Sequence, residues 1–478
     1  MLSIIKLYKK IPFQIKASVI ILIASFITNA ISLITTPIFT RLMTVEEYGL
    51  VTQYNSVLEV INVIATLYLS AGVFQVAMNE FKDDRDQFTF SALILSNVCT
   101  LFVFGIIVFF EKDLSKLLKL PPILFLCMFI YLLFNPAMLM WLSRQRYEYN
   151  YKKVAIISIL TSFSSLGFAV IAIVLSKNSN LGIVRIWTIS IVQSVFAIIL
   201  YISIAKKSRW KPKWKYMKYA FTFNAPLIIH YLSQYVLRSS DKLMITSFCG
   251  EYYTGLYGLG ATVASLAIIA WNAMQASLTP YMYSHINTKE YNKVNKSVIA
   301  VVSIFSLCCI IVAIVGPEVI YILGSQKYIE NIQLVPPIAA SSLLSAIYSI
   351  YSTIAFYHHK RVSTAVLTVI AAIFNILLNY FLIPKYGYIV AAYTTEVAYL
   401  IYTILHFLNY KKIVGENRVF NDKAIWGITS LTTIICLATG IFYNQPVLRY
   451  IILCFIILFL VFMRKKIIGV FKNMLKNN

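Results

Sequence analysis

Apolar runs of roughly twenty residues, each long enough for a helix to cross a bilayer core, recur along the whole chain and constrain it most. They occupy residues 17–38, 50–76, 88–110, 121–142, 153–175, 183–204, 219–237, 252–276, 297–315, 333–356, 362–382, 388–408, 423–441 and 446–463, with short polar breaks between them. In lipid the backbone has no water to bond, so such runs are helices. Composition agrees. Charged residues make up 13% of the 478, against about 25% in a soluble domain, and hydrophobic ones 59%. The sequence therefore predicts an all-α polytopic membrane protein of about fourteen transmembrane helices. Lys6, Lys9, Lys10 and Lys16 precede the first run. That run is too long for a secretory leader and shows no small-residue cleavage site, which predicts a retained first helix.

The net charge of +24 is not a nucleic-acid signal, because the cations lie in the breaks between spans. If the loops alternate from a cytoplasmic N-terminus, 31 of the 42 Lys and Arg fall inside and 11 outside. This is the positive-inside bias, and it predicts both termini in the cytoplasm. The longest basic stretch, residues 206–218, divides the chain. TVEEYGLVTQYNSV, ending at Val57, matches GEYYTGLYGLGATV, ending at Val263, at an offset of 206: Gly49-Leu50 falls on Gly255-Leu256. The expected organisation is a six-helix lobe over 1–205, a basic cytoplasmic linker over 206–218, a second six-helix lobe over 219–410, and two additional helices with a basic tail over 411–478. Duplicated bundles of this kind hold substrate in a central cavity between the halves.

Several chemistries are missing from the sequence. There is no GxxxxGK[ST] phosphate loop and no HExxH zinc motif. The seven cysteines show no CxxC spacing. His358 and His359 are adjacent and point about 100° apart on a helix. No nucleophile–base arrangement stands out, so the expectation is a non-enzyme without a bound cofactor or metal.

An ionisable group inside a span is costly and is a functional candidate by default. Glu59, His230 and Glu396 sit within spans and are candidates for H+ or Na+ coupling; the alternative for each is a partnered structural group. Arg41, Arg238, Asp241 and Lys242 sit at the outer ends of the first and seventh spans. There they either snorkel to the interface or face a cavity, with Asp241 expected to pair with an arginine. Asn62, Gln75, Gln234 and Gln275 complete the candidate cavity lining, Gln75 and Gln275 at the ends of the second and eighth spans. Asn375 and Asn379, one turn apart, read as helix-packing contacts. Pro37, Pro226 and Pro280 are expected to bend their helices.

NAISLITTPIFTRLMTVEEYGL resembles the first-helix signature of Wzx-type polysaccharide flippases, the O-antigen and capsule repeat-unit carriers. There a Pro precedes an Arg and then an acidic-Tyr-Gly step, here Pro37, Arg41, Glu47, Tyr48 and Gly49. SSDKLMITSFCGEYYTGLYGLG is similar to the same family's Asp followed by Gly-x-Tyr, here Asp241, Gly255 and Tyr257. The resemblance implies the fold of the multidrug/oligosaccharidyl-lipid/polysaccharide exporter superfamily, with two lobes that open alternately to each side. It implies a flippase of the bacterial cytoplasmic (inner) membrane, moving undecaprenyl-diphosphate-linked oligosaccharides from the inner to the outer leaflet. Membrane lipids and other polysaccharide-assembly membrane proteins are the implied partners. The family's cavity is cationic, whereas the clearest mid-span charges here, Glu59 and Glu396, are acidic.

Two other readings remain open from sequence. A cation-coupled multidrug exporter of the same superfamily would tolerate loss of Arg41 and Arg238. A membrane glycosyltransferase or polymerase acting on the same lipid would need a large outer loop, and every loop here is short.

Overall fold

The computed structural model of the protein describes residues 13–176, 179–416 and 418–476. Lys6, Lys9, Lys10 and Lys177 lie outside the described residues. All described regular structure is helical. The first half comprises α1 (Phe13–Leu42), α2 (Val45–Ala65), α3 (Val73–Glu80), α4 (Arg85–Phe109), α5 (Glu111–Leu118), α6 (Ile123–Tyr147), α7 (Tyr151–Leu175), α8 (Leu181–Lys207) and α9 (Trp214–Phe248). The second comprises α10 (Glu251–Asn287), α11 (Tyr291–Ile314), α12 (Gly316–Gly324), a 3-10 segment (Gln326–Leu334), α13 (Val335–Tyr357), α14 (Arg361–Tyr386), α15 (Val390–Val414), α16 (Asp422–Thr439) and α17 (Pro446–Lys476).

Each of the fourteen apolar runs coincides with a long helix or, in the second run, with two. Eleven helical segments are long and apolar enough to cross a membrane. The long helices below that mark are α2, α9 and α15, which carry Glu59, the His230–Asp241 group and Glu396. The chain is a multi-pass membrane protein. Its outward surface is apolar, with Phe102, Phe163, Phe455 and Phe462 among many exposed large side chains. On a soluble protein such a surface would aggregate.

The chain divides into two compact units, one ending at Ser239 and the next beginning at Ser240. The division thus falls inside α9 and not in the basic stretch 206–218. The reason is visible in the first unit: Tyr216 and Ala220 of α9 pack into a buried cluster with Phe74, Phe88 and Phe90. Within that unit α6 packs on α8 and α1 on α7. Within the second, α13 packs on α15 and α11 on α16. Ile425 and Cys436 place α16 in the second unit's core, whereas α17 carries many exposed side chains, Phe455 and Phe462 among them. Arg449 anchors α17, donating to Ile314 O at 2.8 Å and bridging both Glu318 oxygens at 2.8 and 2.9 Å.

The offset of 206 recurs in the helix boundaries. Leu42 and Phe248 end α1 and α9, Val45 and Glu251 begin α2 and α10, and Arg85 and Tyr291 begin α4 and α11. Helices α1, α9 and α10 run on without interruption through Pro37, Pro226 and Pro280. The break comes instead in the second apolar run, at residues 66–72, where no proline stands. Thr66 Oγ1 bonds back to Asn62 O at 2.7 Å and accepts from Tyr68 N at 3.2 Å. Leu67 and Tyr68 take left-handed φ of 51° and 48°, and Gly72 has φ 25°.

A polar clasp joins α9 to the α3–α4 turn at the basic end of the first unit. Lys213 Nζ lies 3.2 Å from Asp84 Oδ2, which also accepts from the Tyr216 hydroxyl. Lys213 N donates to Ser91 Oγ at 2.9 Å, and Tyr219 donates to Glu80. The Tyr216 hydroxyl, with Lys213 beside it, holds the Asp84 carboxyl below the usual carboxylate range. A carboxyl lowered by folding stabilises above the ordinary range and loses that contribution as pH falls through its depressed value. The advantage of the wild type over Asp84→Asn in thermal unfolding should therefore be full near neutrality and fade as pH drops below about 4. An advantage that does not change with pH would contradict this account.

Candidate functional site

Glu47 shows how the first motif works. Thr44 Oγ1 accepts from Glu47 N at 3.2 Å and Glu47 Oε2 accepts from Thr44 N at 2.9 Å. This capping box starts α2. The second carboxylate oxygen accepts Leu181 N at 2.7 Å, so the same residue also satisfies a first-turn amide of α8. Gly182 approaches so closely that a Cβ there would lie 2.7 Å from Glu47 O. Tyr48 is buried, and the Arg185 guanidinium lies over Phe39 at 4.0 Å and over Tyr48 at 5.5 Å. The motif builds one end of the first unit. Arg41 ends α1 exposed, donating to Pro37 O at 3.0 Å.

The first unit's polar cluster forms where the break after α2 meets α9. Asn224 donates to Leu67 O, a carbonyl released by the break. The Tyr68 and Tyr235 hydroxyls are 2.8 Å apart, and the Tyr68 and Tyr231 rings are 4.9 Å apart. A side chain at Gly72 is disfavoured by its φ of 25°, and a Cβ there would come 2.6 Å from the Tyr231 hydroxyl. Glu59 Oε2 accepts from Ser239 Oγ at 2.8 Å. The Arg238 guanidinium lies 5.7 Å from the Tyr235 ring, and Tyr235 lies within electrostatic reach of both Arg238 and Glu59. Asn62 bonds locally to Thr66. His230 packs beside Tyr231 at 5.8 Å, its Nδ1 enclosed without a hydrogen-bond partner among the described residues. Glu59, Arg238 and the neighbourhood of His230 are thus brought together. Gln75 sits exposed on α3, not at the end of the second span. Gln234 is exposed on α9. Gln275 lies within α10, twelve residues before its end.

The second unit holds a more enclosed cluster. Asp241 is 3% exposed. Its carboxylate accepts from the Tyr257 hydroxyl at 2.7 Å, from Asn379 Nδ2 at 2.7 Å and from Thr395 Oγ1. Asn375 Oδ1 accepts from Ser240 Oγ at 2.6 Å and from Asn379 Nδ2 at 3.2 Å. Thr394 Oγ1 donates to Asn379 Oδ1. Neutral donors hold Asp241, and Asn375 and Asn379, expected as packing contacts, belong to its network. The signal was present as Asn375 and Asn379 four apart on α14 and the adjacent threonines on α15, but nothing in the sequence joined them to Asp241. Glu396, next to Thr395, projects about 100° around α15 and is also buried. It lies within electrostatic reach of Tyr393 and Cys436. Among the described residues no three His, Cys, Asp or Glu side chains group as a metal site.

The sequence matches the polysaccharide biosynthesis protein family over residues 38–333. The chain belongs to that family. An Lsg locus protein of Haemophilus influenzae is 25% identical over 219 residues, 44% of this chain and 49% of the relative. The probable low-salt glycan biosynthesis flippase Agl15 of Haloferax volcanii is 22% identical over 269 residues, 51% of this chain and 56% of the relative. The chain thus spans about half the length of these relatives. Among solved structures, an inward closed conformation of the lipid II flippase MurJ superposes with TM-score 0.66 at 17% identity, covering 94% of this chain and all of that one. An inward-facing MATE multidrug resistance transporter superposes with TM-score 0.60 at 13% identity, covering 81% and 96%. These likenesses establish the fold.

The buried network makes a direct energetic prediction. Asp241→Ala and Asn379→Ala should each cost about 1–3 kcal/mol, the penalty of orphaning buried partners. The double variant should cost less than the two losses added, by about 0.5–3 kcal/mol. Thermal unfolding of the four proteins in detergent measures this, and simple additivity would rule out a shared network.

Proposed function

We propose that this protein is a flippase: it moves an undecaprenyl-diphosphate-linked oligosaccharide from the inner to the outer leaflet of the bacterial cytoplasmic membrane by alternating access. Membership of the polysaccharide biosynthesis family carries the reading. The fold shared with a lipid II flippase and the polar clusters inside apolar helices support it. In this reading both termini lie on the cytoplasmic side, the side favoured by the positive-inside bias.

A glycan cannot enter hydrocarbon without losing the water partners of its hydroxyls. Helices bearing amides, tyrosines and hydroxyls replace those partners, while the polyprenyl tail stays in lipid. The diphosphate is anionic, and its outward movement is favoured by an inside-negative potential at about 2.3 kcal/mol per charge per 100 mV. ATP is therefore not required. Coupling to H+ or Na+ adds drive. Glu59, His230 and Glu396 are the candidates from sequence. Asp241, a buried carboxylate that accepts from an amide nitrogen and two hydroxyls, joins them as a further candidate.

Deleting the gene in its host should abolish surface polysaccharide and leave lipid-linked repeat units on the cytoplasmic face, and plasmid-borne wild type should restore both. Normal surface polysaccharide in the deletion strain would end the proposal. In proteoliposomes, Glu59→Gln or Asp241→Asn should lower ion-gradient-dependent transport about five- to a hundredfold while gradient-independent exchange persists. Unchanged gradient dependence in both would exclude these residues from coupling.

A further inference from the structure

Apolar side chains of α4 and α6, in the first unit, border a groove of about 560 Å³. That size falls within the about 300–1,000 Å³ of ligand pockets. Phe104, Ile107 and Phe125 form its buried floor, while Leu101 and Val108 stand exposed at its rim. Gly105 lines an open stretch, where an added Cβ would meet nothing within 4 Å. Leu101 and Val108 lie seven residues apart on α4, about 10 Å along a helix, so the groove runs nearly two turns into the span. Both helices are long and apolar enough to cross a membrane, and the exposed rim faces lipid.

One end of the groove differs from the rest. Glu111, the first residue of α5, lines it there and is the charged residue of an otherwise apolar wall. It is half-buried, and among the described residues its carboxylate has neither an ion pair nor a hydrogen bond. Helix α5 lies between two spans and is amphipathic. Leu114 and Leu117 share one face, and Lys112 and Lys116, both exposed, share another, as residues three and four apart do. A short helix so patterned suits the membrane interface. The groove therefore has an amphiphile's outline: apolar along its length, with a carboxylate at one end and lysines just beyond.

We infer that this groove binds a membrane phospholipid with a primary-ammonium headgroup, phosphatidylethanolamine. An acyl chain lies along the Phe104 and Phe125 floor. The ammonium donates to the Glu111 carboxylate, and the phosphate is met by the lysines of α5. Charge complementarity selects this occupant. A half-buried carboxylate without a partner is costly, and an ammonium donor offsets that cost. Phosphatidylglycerol brings no cation and sets its phosphate against Glu111. Phosphatidylcholine brings a cation, but with methyl groups in place of N–H donors. The anionic diphosphate of the proposed cargo meets the same repulsion as phosphatidylglycerol. The inference goes beyond the flippase reading and does not rest on it.

The test is native mass spectrometry of the full-length protein, titrated with dioleoyl phosphatidylethanolamine, phosphatidylcholine or phosphatidylglycerol. Wild type should bind the ethanolamine lipid about five- to tenfold more tightly than the other lipids. Glu111→Gln should bring it down to the level of the choline lipid. Glu111→Lys should reverse the order in favour of phosphatidylglycerol, a gain that misfolding cannot produce. Gly105→Leu, which grows into open space, should weaken every one of these lipids by filling the chain's place. Equal binding of the ethanolamine and choline lipids by wild type would overturn the inference. So would an ethanolamine preference that survives Glu111→Gln, or unchanged binding by Gly105→Leu. Displacement of bound phosphatidylethanolamine by equimolar undecaprenyl phosphate, but not by phosphatidylcholine, would assign the groove to a prenyl chain and overturn it too.

Discussion

Lipid offers no hydrogen bonds, so every polar group within a span must find its partner in protein or face a wet space. That constraint shapes both units. It makes threonine hydroxyls fold back onto the preceding turn along α1, α4 and α14. It draws Asn224 onto the carbonyl released after α2. It gathers an amide and two hydroxyls around Asp241, a carboxylate that would otherwise be among the costliest groups in the chain.

Much of the architecture was legible in sequence, because hydropathy reads the solvent directly. Apolar runs mark the long helices, and the 206-residue offset seen in two short motifs returns in where α1, α2, α4 and their counterparts begin or end. The family motifs were legible too, although their physical roles were not. Glu47 closes the start of two helices at once, and Tyr257 holds the same Asp241 with which the resemblance had grouped it.

The misses have physical causes. The interruption at residues 66–72 carries no proline and stays apolar through Leu67, Leu69 and Ala71; Thr66, left-handed backbone at Leu67 and Tyr68, and Gly72 create it. Asn375 and Asn379 looked like generic glue because their partner lies more than 130 residues earlier in sequence.

The three long helices that fall short in apolarity carry a consequence for biogenesis. A helix with Asp241 near its end enters lipid poorly by itself. The groups that satisfy this carboxylate sit on α10, α14 and α15, the last of them 154 residues downstream at Thr395. During synthesis, α9 must therefore wait at the translocon or the interface until most of the second unit has emerged. Its final seating is then a late, concerted step in which several spans commit to the bilayer together, and not one stage of a helix-by-helix queue.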